Sequence, residues 1–83
     1  MYKVVFHKEA QREFLKINKK DQELISTKLL DLQEGDFKGD KSLKGKHKGK
    51  FRKRAGNYRI RYLLENNIVL ITILRIAHRK EVY

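Results

Sequence analysis

The twelve residues "FRKRAGNYRIRY", Phe51 to Tyr62, admit few structures. They alternate with period two on either side of a Gly-Asn dipeptide, the pattern of two antiparallel strands joined by a tight turn. Successive side chains of a strand point to opposite faces, so Lys50, Arg52 and Arg54 share one face while Phe51, Lys53 and Ala55 share the other. In the second strand Tyr58, Ile60, Tyr62 and Leu64 oppose Arg59, Arg61 and Leu63. One side of this hairpin needs a core to cover it, and the other carries arginines on both strands. Like charges directly opposite each other destabilise a sheet, so the arginines either splay into water or are organised around an anion such as a phosphate.

The rest of the chain supplies the cover. "YKVVFH", Tyr2 to His7, is rich in β-branched and aromatic residues and reads as a first strand. Ala10, Phe14 and Ile17 recur at i, i+4 and i+7, which predicts a short amphipathic helix from about Lys8, with Leu15 beside the stripe. Asn18 is placed to cap a second helix, with Asp21 near its positive end and Leu24, Ile25, Leu29 and Leu32 at helical spacing; Gly35 stops it. All five glycines lie between Gly35 and Gly56, so "GDFKGDKSLKGKHKG" reads as loop, with Phe37 and Leu43 available to pin it to the core. Strands follow at about Lys50 to Ala55, Tyr58 to Glu65 and Ile68 to Ala77, with Asn66-Asn67 expected to make the second two-residue turn.

The order β-α-α-β-β-β predicts an α+β fold: an N-terminal strand, an α-helical hairpin, then a three-stranded antiparallel meander. Together they form one twisted, mostly antiparallel sheet with helices on one face and the other face open. Residues 1–83 read as a single domain, since a chain this short buries only roughly 60% of its unfolded surface and cannot build a second core.

Charge is unevenly spread. The net charge is +11, and Lys38 to Arg54 hold nine lysines and arginines against one acid, Asp40, or +8 of it. Such clustering points to a polyanionic partner, and the run lacks the apolar face that a membrane-surface helix would need. Without cysteine there is no disulfide framework or thiolate metal site, and "HRKE" sets two cations between its histidine and its acid. No Gly-x-x-x-x-Gly-Lys loop occurs, so no nucleotide cofactor is expected. The N-terminal apolar run is too short for a signal peptide or a span, and the expected compartment is the cytoplasm.

"FRKRAGNYRIRY" and the ending "LRIAHRKEVY", within a stretch from Leu43 to Tyr83, resemble the RelE/ParE superfamily of toxins from type II toxin-antitoxin systems, specifically its RelE-like branch. The resemblance implies a metal-independent, ribosome-dependent endoribonuclease that cuts mRNA in the A site and is held inactive by a cognate antitoxin. By position it places Arg52 and Arg54 where RelE-like toxins often have two lysines, Arg59 on the family's arginine in its G-x-Y-R stretch, Arg79 on the arginine near the last strand's end, and Tyr83 on the C-terminal tyrosine. His78 falls where related branches carry a basic residue. A second class within the superfamily is the ParE-like DNA gyrase inhibitor, which acts by binding. A third reading is a non-catalytic RNA- or ribosome-binding module.

RNA is cut without metal when its own 2′-OH attacks the adjacent phosphate. Guanidiniums stabilise the charge that gathers in the transition state, which suits Arg52, Arg54, Arg59 and Arg79. They cannot move the protons, since arginine does not deprotonate at physiological pH. His78 is the expected acid-base group, against the alternative of a strand-end histidine bonded to backbone. Tyr83 is expected to stack on a base or position it, against the alternative of an aromatic packed on the sheet edge. The alternating Lys44, Lys46, Lys48 and Lys50, with Arg61, suit backbone phosphates of RNA or the ribosome. A small, acidic, partly disordered antitoxin would neutralise the open face in a hetero-oligomer.

Overall fold

The computed structural model describes residues 1–43 and 49–80. Chain order is β1 (Lys3–Phe6), α1 (Lys8–Leu15), α2 (Lys19–Gln33), β2 (Lys41–Ser42), β3 (Lys50–Ala55), β4 (Tyr58–Glu65) and β5 (Leu70–His78). The five strands form one sheet in the order β1-β5-β4-β3-β2. Every neighbouring pair is antiparallel except β1 with β5. This is the expected α+β architecture, extended at one edge by the two-residue β2. That short strand lies inside the stretch read as loop, and two residues carry no periodicity by which to find it.

Local chemistry sets the helix ends. Asn18 Oδ1 accepts the Asp21 N–H at 2.9 Å while its Nδ2 donates to Asp21 Oδ2 at 2.9 Å, a reciprocal cap at the start of α2. At the other end Gly35 sits at φ 81°. The Asp36 N–H reaches the Asp31 carbonyl at 2.8 Å and the Gly35 N–H that of Leu32 at 3.0 Å, the two bonds of a Schellman motif. His7 ends the first strand's stretch as the cap of α1, its Nδ1 accepting the Glu9 N–H.

The helices cover one sheet face. Ala10 of α1 and Ile25 and Leu32 of α2 are fully buried against Ala55, Ile60, Tyr62, Ile71 and Ile73. Phe14 packs edge-on against Phe6, and Phe37 pins its loop by stacking on Tyr62. Leu24, expected in the helix stripe, is instead 38% exposed. It packs against the β3–β4 turn: a Cβ at Gly56 would lie 2.7 Å from Leu24 Cδ2. Gly56 has φ 60° and Asn57 does not share it, the signature of a type II′ turn with glycine first.

The second connection departs from the two-residue Asn-Asn turn. Asn66–Ile68 form one turn of 3₁₀ helix, and Val69, with φ 53°, is the residue in the left-handed region. Asn66 Oδ1 accepts the Tyr2 hydroxyl at 2.8 Å, which ties the connection back to the residue that precedes β1. A second irregularity lies in β5. Arg61 pairs with Arg75 but Tyr62 pairs with Ile73, leaving Leu74 as an extra residue in a β-bulge.

Candidate nucleic-acid interface

The register confirms an arginine face. Arg52 stands directly opposite Arg61, and Arg54 opposite Arg59, between β3 and β4. Directly opposed residues have Cα atoms roughly 4.5–5.5 Å apart, so two cation pairs are held side by side on the face away from the helices. A third cation joins them from β2, where Lys41 is the partner of Arg52. Gly39, Lys41, Arg52, Arg54 and Arg59 line a cavity of about 340 Å³. On the same face Lys50, Arg61, Leu74 and Arg75 line a second recess of about 260 Å³ with His7 and Glu9.

Lys53 explains how the floor is held. It occupies the inward register of β3, as the alternation requires, and is 5% exposed. Its Nζ lies 3.0 Å from Asp40 Oδ1 and 3.2 Å from Oδ2, and it donates to the Asp36 carbonyl at 3.2 Å. The Tyr62 hydroxyl donates to the same carboxylate at 2.5 Å. Burial first, then the hydrogen bond and negative charge of Asp40, push the Tyr62 phenol well above its ordinary value, so it stays a donor. Phe37 and Phe51 both stack on the Tyr62 ring, with centroids 6.2 and 5.6 Å away. Breaking a buried pair by removing one partner typically costs about 3–5 kcal/mol, so this network fastens the 36–40 loop to the underside of β3 and β4.

His78 does not join the arginines. It pairs with Tyr58 on the helix side of the sheet, ring edge-on at 5.2 Å, and its Nδ1 accepts the Lys80 N–H at 3.2 Å. It lines a separate cavity of about 370 Å³ with Glu13, Lys16, Ile17, Tyr58 and Ile76. Arg79 follows at the strand's end, exposed, its backbone N–H bonded to the Asn57 carbonyl at the hairpin turn. Arg75 is tied to α1: its Nε and Nη2 reach Glu13 Oε2 at 2.9 and 2.7 Å, while Glu13 Oε1 accepts the Ile76 N–H. Tyr83, Lys44, Lys46 and Lys48 lie outside the described residues.

Reading the sequence missed Lys41 and Gly39, which fell in the glycine-rich loop. A signal for the loop's position did exist. Lys53 alternates into an apolar register, where a lysine needs an acid, and Asp40 is the one acid between Lys38 and Arg54.

The chain belongs to a family of toxins from type II toxin-antitoxin systems. The matching family model is that of the ParE toxin of the type II toxin-antitoxin system parDE, over residues 4–83. Membership of the RelE/ParE superfamily, expected from the hairpin and the C-terminal motif, is thereby shown. Among solved structures, the RelBE2 toxin-antitoxin complex from Mycobacterium tuberculosis is 27% identical with a TM-score of 0.71, covering 96% of this chain and 93% of that one. The isolated E. coli RelE toxin gives a TM-score of 0.84 at 19% identity, covering 99% and 88%. The archaeal RelE-RelB complex from Pyrococcus horikoshii gives 0.74 at 23%, covering 98% of each. At those two identities the likeness is one of fold. No curated protein matches. Among the described residues no helix is long and apolar enough to cross a membrane.

Proposed function

We propose that this chain is the toxin of a type II pair and acts as a ribosome-dependent endoribonuclease, cutting mRNA in the A site by 2′-OH attack on the adjacent phosphodiester. The observation that carries the reading is the two opposed arginine pairs, Arg52 with Arg61 and Arg54 with Arg59, on the sheet face opposite the buried core. Opposed guanidiniums gather positive charge on one face, and a phosphorane-like transition state brings more negative charge than the substrate does. Arg52, Arg54, Arg59 and Arg79 hold that charge; Tyr83 stacks on or positions a base; Lys50 and Arg61, with Lys44, Lys46 and Lys48, hold flanking phosphates of mRNA or ribosome.

The partner in this reading is a cognate antitoxin, small and acidic, that wraps the same cationic face in a hetero-oligomer, as the RelE-RelB complexes of the similar structures suggest. The compartment is the cytoplasm, where the ribosome is.

A purified translation reaction supplies the test. Wild-type protein is expected to cleave mRNA at A-site codons, and Arg59→Ala to slow single-turnover cleavage by roughly 10²–10³, the loss typical of removing one donor to a developing anion. Intact mRNA together with inhibited supercoiling by gyrase would replace this reading with that of a binding toxin.

A further inference from the structure

The arginine cavity holds the transition state but, by its arginines alone, moves no proton, and His78 lies on the other side of the sheet. Of the five residues that line the cavity, Lys41 is the one that carries an amine rather than a guanidinium, a group able to act as a proton donor in transfer. We infer that Lys41 is the general acid of the cleavage, protonating the leaving 5′-oxygen. The inference rests on the nuclease reading and adds a catalytic residue to it.

Placement supports the role. Lys41 is the register partner of Arg52, so its side chain leaves the sheet on the arginine side. Its neighbour Asp40 points the opposite way, into the buried network with Lys53 and Tyr62, where its side chain is 4% exposed. With Asp40 anchored inward, the alternation turns Lys41 outward. Gly39, at φ 82° and with nothing within 4 Å of where a Cβ would stand, gives the loop its turn into β2 and leaves the cavity wall open beside Lys41. Among the described residues Lys41 makes no salt bridge.

The chemistry balances. The 2′-oxygen loses its proton to solvent and forms a bond to phosphorus; the bond from phosphorus to the 5′-oxygen breaks, and that oxygen takes a proton from the Lys41 ammonium. The products are a 2′,3′-cyclic phosphate and a 5′-hydroxyl, and the Lys41 amine regains a proton from water. No oxidant, metal or water molecule is consumed.

Lys41→Arg separates charge from proton donation, because the guanidinium keeps the cation and does not release a proton. The assay is single-turnover cleavage by the full chain on ribosomes programmed with two mRNAs, one all-oxygen and one with a 5′-bridging sulfur at the scissile linkage, whose thiolate leaves without protonation. Lys41→Arg is expected to slow all-oxygen cleavage by at least about 10², the usual contribution of general acid catalysis, and to cut the sulfur-linked mRNA at close to the wild-type rate. Near wild-type cleavage of both mRNAs, or equal losses on both, would overturn the assignment. The same result pattern from His78→Gln, with Lys41→Arg unaffected, would transfer the role to His78. If wild-type protein cuts neither mRNA, the nuclease reading falls and the inference with it.

Discussion

Val69 is a β-branched residue at φ 53°, where its side chain crowds the backbone at a cost of about 1–2 kcal/mol. It is 44% exposed, so little packing compensates. Val69→Asn, which tolerates the left-handed region, is expected to raise unfolding stability by up to about 1 kcal/mol in a urea titration. A lowered midpoint would mean that the valine side chain contributes more by contact than its backbone loses. The two-residue turn expected at Asn66-Asn67 does not form. Two consecutive asparagines are the residue type that accepts positive φ, but one of them is bound to Tyr2, 64 positions away, and nothing local announces that bond. Lys41 was hidden in the same manner, as one lysine in a run of them.

Between elements, the packing of β2 and its preceding loop onto β3 and β4 depends on Lys53, Asp40 and Tyr62. The phenol has an ordinary value of 10.0 and is raised in the folded state. Its contribution is therefore complete below pH 10 and declines above it, because the unfolded chain loses the proton while the folded chain keeps it. Stability should fall by about 1.4 kcal/mol per pH unit above pH 10 from this group alone. Tyr62→Phe should shallow that decline by one proton's worth in unfolding experiments at pH 9–11; an unchanged slope would mean the phenol ionises equally in both states. The helices were legible because their signals are local: Asn18, Asp21 and Gly35 sit where caps are needed. The position of His78 was not. Strict alternation along β5 from Ile71 and Ile73 puts His78 on the arginine face, but the Leu74 bulge inserts one residue and turns it to the helix side. A single extra residue inverts every later side chain, and its cause lies in the pairing of β5 with β4 rather than in β5 itself.

For the whole molecule, the net charge of +11 and the concentration of cations on one sheet face would, on the proposed function, make association with RNA an ion-exchange process. Affinity for programmed ribosomes should fall steeply with salt, and Lys50→Gln should reduce the slope of log K against log salt by roughly 0.7–0.9, one phosphate contact. An unchanged slope would place Lys50 outside the contact surface. Period two in the sequence was enough to sort the two faces. Which cations share one cavity required the register, and the register brought Lys41 in and left His78 out.

The parallel pairing of β1 with β5 has a consequence for biogenesis. β5 carries Ile71, Ile73 and Ile76 of the core and is the bonded neighbour of both β1 and β4, yet among the described strands it comes last in chain order. A growing polypeptide that has not yet reached Leu70 leaves β1 without its strand partner and the helical hairpin without the core isoleucines of β5. The arginines of β3 and β4 are synthesised before the strand that fixes them, so a nascent chain has its charges in place ahead of its fold. On the proposed function, it becomes competent to attack a ribosome only once β5 has been made and paired.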